Sequence, residues 1–293
     1  MGGNGSSVDF GGTAAEVRGL DGVRWIHGSE SAKHNTDPDI QVHRYDEHTV
    51  ILRQNMAVNY EAPFLFLLFG NERAVLIDTG ATASAEFFPL RETVDGLLGE
   101  WLERNPRDGY ELLVLHTHAH GDHVAGDGQF EGRPDTRLVP ADRATVWAFL
   151  GFDADPDAVA RVDLGGRVLE CLATPGHHEA AVTFFDPWSG FLLTGDTVYP
   201  GRLYIQDWAA FGRSIGRLVE FCEGRAVSHV LGCHIEMSAE PGVDYPIRST
   251  YQPYEVPLQL TVGHLREIRA AMEEIGGVPE RRVFPLFILS PDD

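Results

Sequence analysis

The stretch Leu115-His116-Thr117-His118-Ala119-His120-Gly121-Asp122-His123 is the most informative part of this chain. The apolar run at residues 112–115 leads into it, so a buried strand is predicted to end where the histidines begin. Alternate side chains of a strand-like segment point the same way, which allows His118 and His120 to bind one metal ion. The sequence therefore predicts a metal-binding loop at the end of a buried strand.

Two further ligand-type side chains, Asp122 and His123, follow Gly121 in the same stretch. The chain can turn at this glycine, so Asp122 and His123 can face a second ion. With 13 His in 293 residues, such a cluster is expected by chance in roughly a few chains per thousand. The alternative, a histidine-rich surface loop, is therefore disfavoured.

Three later segments share one pattern, in which a strand-like apolar run is followed by a glycine and a ligand-type residue. These segments carry His177, Asp196 and His234. Folds collect ligands in this way where the ends of several strands meet at one edge. We therefore expect these three side chains to join the histidine cluster.

As a set, these residues resemble the metallo-β-lactamase-fold hydrolase superfamily, over most of the chain from about residue 50 to the end. The resemblance assigns His118, His120 and His177 to a first ion. It assigns Asp122, His123 and His234 to a second ion, with Asp196 bridging the two. Seven groups are too many for one zinc ion, which usually takes about four ligands, so two Zn²⁺ per chain are expected. Iron and manganese also suit histidine and carboxylate ligands.

The resemblance implies a dinuclear metal-dependent hydrolase of a small-molecule ester, lactone, thioester or amide, in which a metal-bound hydroxide attacks the carbonyl. Asp122 is expected to bind metal and to orient the nucleophile. Tyr199 stands three residues after Asp196, an offset at which quorum-sensing lactonases of this superfamily carry a tyrosine that stabilises the oxyanion. A phenol can donate to developing negative charge, and a packing role is the alternative for Tyr199.

Three residues are expected to lie behind the ligands. Asp78 ends a predicted strand where the superfamily commonly has an aspartate that supports the metal loop, and a simple turn aspartate is the alternative. His178 follows His177 directly and is expected to point into the supporting layer or the pocket, with the reverse assignment as the alternative. Cys233 is expected to be a buried thiol, because it points away from the face that His234 occupies.

Other functions stay open at this point. A mononuclear iron sulfur dioxygenase of the same fold shares part of the ligand set, and a metal-retaining binding protein needs no turnover. β-Lactamase and phosphodiesterase activities are alternatives among hydrolases. Asp196 stands where one group of zinc β-lactamases has cysteine, which disfavours that group. The identity and number of the bound metal ions discriminate between the hydrolase and the dioxygenase.

The net charge of −21, with Lys33 as the only lysine, disfavours nucleic acid and other polyanions as partners. Glutathione thioesters are less favoured for the same reason, and the aromatic loops 199–208 and 245–254 suit an uncharged or cationic small molecule. Three cysteines fit a reducing cytoplasm. No apolar run approaches the roughly 18 residues of a membrane span. The oligomeric state is left open, a homodimer included.

The apolar pattern predicts an α/β (α+β) fold in which helices cover sheets, with helical spacing at residues 90–102, 141–150, 208–222 and 260–275. The resemblance specifies a four-layered αβ/βα sandwich of two mixed β-sheets with helices outside. Residues 1–15 are predicted to be a flexible N-terminal tail and residues 16–293 a single domain. The Pro- and Tyr-rich segment 241–257 is predicted to be a substrate-side loop.

Overall fold

Strands make up most of the regular structure. A computed structural model describes residues 7–11 and 19–292, and within them it contains fifteen strands. The strands are β1 (Ile40–Asp46), β2 (Thr49–Gln54), β3 (Phe64–Phe69), β4 (Arg73–Ile77), β5 (Glu111–Leu115), β6 (Thr136–Leu138), β7 (Ala160–Asp163), β8 (Val168–Ala173), β9 (Val182–Asp186), β10 (Phe191–Gly195), β11 (Arg202–Ile205), β12 (His229–Gly232), β13 (Gln259–Leu260), β14 (Arg282–Val283) and β15 (Ile288–Pro291).

Five α-helices connect these strands within the described residues. They are α1 (Leu90–Arg104), α2 (Gly121–Val124), α3 (Arg143–Leu150), α4 (Trp208–Cys222) and α5 (Val262–Ile275). Two of the predicted helices begin later than the apolar pattern suggests, because polar side chains cap them. Asp142 accepts from the Thr145 amide before α3, and Thr261 forms a capping box with His264 before α5.

Two six-stranded mixed sheets form the centre, as predicted. The first has the order β1-β2-β3-β4-β5-β6, antiparallel up to β4 and parallel from β4 to β6. The second has the order β13-β12-β10-β9-β8-β7, and only β10 and β12 are parallel in it. A small third sheet, β11-β15-β14, was not predicted; it pairs a strand near residue 203 with one near the end of the chain.

The apolar strand β3 explains why the layers stack. All six of its residues are buried, so both of its faces must be covered. Phe64, Phe66 and Leu68 belong to the core between the two sheets, whereas Leu65 and Leu67 pack toward α1 with Trp101. On the far side, α4 and α5 cover the outer face of the second sheet. The order helix, sheet, sheet, helices confirms the predicted four-layered sandwich.

A buried ion pair links the two sheets at the end of the strands away from the histidine loop. Arg167, between β7 and β8, donates to both carboxylate oxygens of Asp186, at 3.0 and 2.5 Å. It also donates to the carbonyls of His48 and Phe69 in the first sheet. Burial alone raises the pKa of Asp186, but the Arg167 charge and bonds from Ser189 hold this pKa below its usual value.

Part of the predicted N-terminal tail lies against this end of the molecule. The ring of Phe10 makes edge-on contacts with His48 and Trp188, and the backbone of Val8 pairs with the Asn71 amide. Residues 1–6 and 12–18, which include the predicted boundary between tail and domain, lie outside the described residues.

Across residues 7–11 and 19–292, no helix combines the length and the apolar character that crossing a membrane requires.

We expect Arg167→Met to lower the free energy of unfolding by about 3–5 kcal/mol at pH 7, because Asp186 stays buried without its partner. The charge of Asp186 contributes stability above the unfolded pKa of about 3.9, and this contribution is lost as pH falls through the lower folded pKa. The difference from wild type should therefore shrink below about pH 4. Urea unfolding at several pH values measures this difference in the free energy of unfolding. Arg161→Met, at a side chain 72% exposed, is the control, and equal costs for both variants would contradict the prediction.

Candidate metal centre

The predicted ligands come together where strands of both large sheets end. The loop after β5 and the short helix α2 carry the first four ligands. His177 follows β8, Asp196 follows β10 directly, and His234 lies two residues after β12. Five of the seven side chains are buried, and those of His120 and Asp122 are half-buried. The structure therefore brings all seven predicted ligands into one site.

Three imidazole nitrogens face each other in the first cluster. His118 Nε2, His120 Nδ1 and His177 Nε2 lie 3.0, 3.1 and 3.2 Å apart. Nitrogens that bind zinc at about 2.0–2.1 Å with tetrahedral angles lie about 3.3 Å apart. The first cluster therefore fits the spacing of one tetrahedral ion.

The second cluster combines carboxylate and imidazole groups. Asp122 Oδ2 lies 3.3 Å from His123 Nε2 and 3.2 Å from His234 Nε2. Asp196 Oδ1 lies 3.5 and 3.4 Å from the same two nitrogens. These four groups point at one position with the donor types that a second ion requires.

Asp196 faces both clusters with different atoms. Its Oδ1 belongs to the second cluster, and its Oδ2 lies 3.9 Å from His118 Nε2 and 3.8 Å from His177 Nε2. Asp196 Oδ1 and His123 Nε2 are buried and have no hydrogen-bond partner among residues 7–11 and 19–292. A buried polar atom without a partner costs about 1–3 kcal/mol. The residues present therefore fit a pair of metal ions, which would complete the coordination of these atoms.

The charges of the site differ between the two clusters. Burial, with the neighbouring imidazoles, lowers the pKa of His120 to about 4 and that of His118 well below its usual value. Both rings are therefore neutral at neutral pH, and each has one unprotonated nitrogen that can bind metal. Burial alone lowers the pKa of His234, but the carboxylates of Asp196 and Asp122 raise it well above its usual value. A metal ion entering the second cluster must displace such protons.

Asp78 organises the loops behind the ligands. It accepts hydrogen bonds from the Thr117 amide at 2.7 Å, the Thr117 hydroxyl at 2.8 Å and His123 Nδ1 at 2.9 Å. The Cys233 thiol donates to it across 3.4 Å. Burial and the Asp78 charge raise the pKa of Cys233 to about 12, so this thiol keeps its proton. These contacts match the supporting role that the resemblance implies for Asp78.

Backbone carbonyls orient two other ligands. His177 Nδ1 donates to the carbonyl of Tyr204 at 2.8 Å, and His234 Nδ1 donates to the carbonyl of Glu61 at 2.9 Å. Each bond places the proton on Nδ1 and leaves Nε2 free to bind metal. The sequence analysis did not identify Tyr204 and Glu61, because any residue type offers a backbone carbonyl.

His178 lies beside the first cluster without joining it. Its ring centroid is 4.8 Å from that of His120, and its Nδ1 accepts from the Ala180 amide. The reverse assignment, with His178 as the ligand, does not match this geometry, since His177 supplies the nitrogen that faces His118 and His120.

Tyr199 is buried, with its ring edge-on to His234 at 5.6 Å between centroids. Its hydroxyl donates to the backbone carbonyl of Arg202, and a Glu236 oxygen lies 3.2 Å away. The proton that an oxyanion would need is therefore engaged by the protein itself in this structure. The catalytic role of Tyr199 stays a prediction.

Comparison with known proteins shows the family of the chain. A family model described as the metallo-β-lactamase superfamily matches residues 62–284, so the chain belongs to this superfamily, as predicted. Hydroxyacylglutathione hydrolase of Rhizobium meliloti (strain 1021) is 29% identical over 171 residues, which cover 56% of this chain and 63% of that protein. Acyl-coenzyme A thioesterase MBLAC2 of Bos taurus is 27% identical over 205 residues, which cover 58% of this chain and 72% of that protein. The match thus spans less than two thirds of the Rhizobium hydrolase.

Solved structures share the fold. A metallo-β-lactamase from Pontibacter korlensis aligns with a TM-score of 0.52 and 17% identity over 80% of this chain and 99% of that chain. The DIM-1 metallo-β-lactamase aligns with a TM-score of 0.53 and 15% identity over 83% of this chain and 100% of that chain. At these identities the likeness concerns the fold alone.

We expect Asp78→Asn to weaken zinc binding about 10- to 100-fold, since the loss of this charge releases His123 and the Thr117 loop. Asp78 has a φ of 67°, and asparagine tolerates this left-handed conformation well. Competition with a chromophoric chelator measures the affinity. Glu100→Gln, at a side chain 54% exposed, should bind zinc as the wild type does. Unchanged affinity in Asp78→Asn would favour the alternative of a simple turn residue.

Proposed function

We propose that this protein is a dinuclear metal-dependent hydrolase whose substrate is a small thioester. Esters, lactones and amides share the same reaction and are weaker candidates. The names of the two relatives, hydroxyacylglutathione hydrolase and acyl-coenzyme A thioesterase, both denote thioester substrates. The proposal of two metal ions rests on the position of Asp196, whose two oxygens face the two ligand clusters.

The residues of the chain have separable roles in this proposal. When bound, two divalent ions supply an acidified water and a Lewis acid for the carbonyl. Asp122 is partly exposed and lies between His123 and His234, where its carboxylate can orient the attacking water and accept its proton. A thiolate leaves without prior protonation, so a thioester needs no separate general acid at this site.

The surroundings of the second cluster favour a substrate with little negative charge. Arg202 is a buried cation in this region, but its guanidinium is held by Glu236 and Asp244, each at 2.7 Å. Glu61 adds a partly buried carboxylate whose charge acts on His234 and Asp122. No other buried arginine is available there within the described residues, since Arg53 and Arg167 pair with Glu255 and Asp186.

The segment 241–257 supports the same proposal as a substrate-side loop. Tyr245 from this segment accepts a bond from Arg202 through its carbonyl, and Arg248 interacts with Tyr60, the neighbour of Glu61. Tyr254 is 73% exposed. An aromatic loop next to the second cluster can cover an uncharged acyl group.

A metal count with a substrate panel tests the proposal. We expect about two zinc ions per chain and a kcat/KM for the neutral acetyl thioester of N-acetylcysteamine at least about tenfold above that for acetyl-coenzyme A, because carboxylates already pair with the buried arginine beside the site, Arg202. Esters, lactones and a β-lactam complete the panel. One iron per chain with oxygen uptake would establish a sulfur dioxygenase instead. Bound zinc without turnover of any member would indicate a binding protein.

We expect His234→Ala to lower zinc content from about two ions to about one per chain, because the first cluster keeps its three imidazoles. Elemental analysis after dialysis measures the content. His264→Ala, at an exposed helix cap, should retain the wild-type content. Loss of all zinc in His234→Ala would contradict two separable sites.

A further inference from the structure

A second tyrosine, Tyr204, lies beside the metal centre on β11. Its backbone carbonyl accepts the bond from His177 Nδ1. Its neighbours Leu203 and Ile205 are buried in the core with α4, and side chains alternate along a strand. Tyr204 therefore presents its half-buried ring on the opposite face, together with Arg202.

The Tyr204 hydroxyl has one partner among the described residues. Arg202 Nε donates to its oxygen at 3.0 Å. The other guanidinium nitrogens of Arg202 are bound to Glu236, Asp244 and the Tyr245 carbonyl, all within 2.8 Å. This network holds the phenol oxygen in place as an acceptor and leaves its own proton without an acceptor. Tyr199 differs, since its proton goes to the Arg202 carbonyl.

A chain of contacts connects the Tyr204 hydroxyl to the second cluster. Arg202 binds both this hydroxyl and one oxygen of Glu236. The other oxygen of Glu236 lies 3.2 Å from the Tyr199 hydroxyl, and the Tyr199 ring is edge-on to His234. Charges of Glu236, Arg202 and Glu61 act on the phenol. Glu61 in turn interacts with His234 and Asp122, and its carbonyl orients His234. The Tyr204 hydroxyl therefore belongs to the group of polar side chains that borders the second cluster.

We propose that the Tyr204 hydroxyl donates a hydrogen bond to the acyl oxygen of the bound substrate. This inference deepens the proposed function and rests on it. Arg202 is a positioning residue in this arrangement, because its bond to the phenol oxygen directs the free proton outward. The bond strengthens as negative charge builds on the acyl oxygen during attack.

Ligand binding to the zinc-loaded protein tests the inference without turnover. Acetohydroxamate carries oxygen acceptors, whereas the thiol N-acetylcysteamine binds metal through sulfur. In Tyr204→Phe, calorimetry should show acetohydroxamate binding about three- to tenfold weaker, as the loss of one hydrogen bond predicts. The affinity for the thiol and the zinc content should stay as in the wild type. Equal weakening of both ligands would show a structural role and overturn the inference.

Two matched variants remove the phenol oxygen from other tyrosines. Tyr110→Phe removes a hydroxyl that bonds to the Gly70 carbonyl in the first sheet, and it should leave both affinities unchanged. Tyr199→Phe should change acetohydroxamate affinity by less than about twofold, since its proton is already engaged. A larger loss in Tyr199→Phe than in Tyr204→Phe would return the donor role to Tyr199.

Turnover separates this inference from the proposed function. With the neutral thioester, Tyr204→Phe should lower kcat/KM about tenfold. This loss is smaller than that expected when a site without metal loses an oxyanion donor, because here the metal ions also stabilise the negative charge. A wild type without thioesterase activity would refute the proposed function, and the acetohydroxamate comparison would still decide whether Tyr204 is a donor. An active wild type with unaffected Tyr204→Phe would refute the inference alone.

Discussion

The buried carboxylate of Asp78 is the contact on which the metal centre depends. It stands at the end of β4 and binds the loop after β5, the ligand His123 and the thiol of Cys233 at the end of β12. One side chain therefore ties both large sheets to the position of the ligands. A buried carboxylate without hydrogen-bond donors would greatly lower the free energy of unfolding. The donors around Asp78 therefore stabilise the folded protein only in the positions that they have here.

The opposite ends of the strands are joined by a second buried charge, Arg167. It binds Asp186 in the second sheet and the carbonyls of His48 and Phe69 in the first. Between these two polar contacts the sheets pack apolar side chains such as Ile51, Phe66 and Phe184, and the Phe64 amide donates to the Cys233 carbonyl and the Val182 amide to the Thr117 carbonyl. Apolar packing is non-directional, whereas hydrogen bonds are directional. The hydrogen bonds at both ends of the strands therefore add directional contacts to the apolar packing between the sheets.

The candidate ligands come from four strand ends, and loops distinguish proteins that share a fold. In this chain, the loops around the second cluster supply Glu61, Tyr204 and the segment 241–257. Carboxylates neutralise Arg202 there, which agrees with the acidic composition of the whole chain. The site thus combines the candidate ligand set with neighbouring loops in which carboxylates neutralise the buried arginine.

The sequence by itself predicted seven candidate ligands, which the structure brings into one site, and the helices that cover the sheets, because ligand spacing and apolar periodicity are local properties. The sandwich of two mixed sheets was predicted from the resemblance to the superfamily, since apolar periodicity does not distinguish it from other layered α/β folds. Only the tertiary structure decided that Tyr199 donates its proton to a backbone carbonyl and that Tyr204 keeps one free. The same holds for the bond between His234 and the Glu61 carbonyl, 173 residues apart, and for the Arg167–Asp186 link between the sheets. Such contacts depend on how distant segments pack, and residue type at a single position does not encode them.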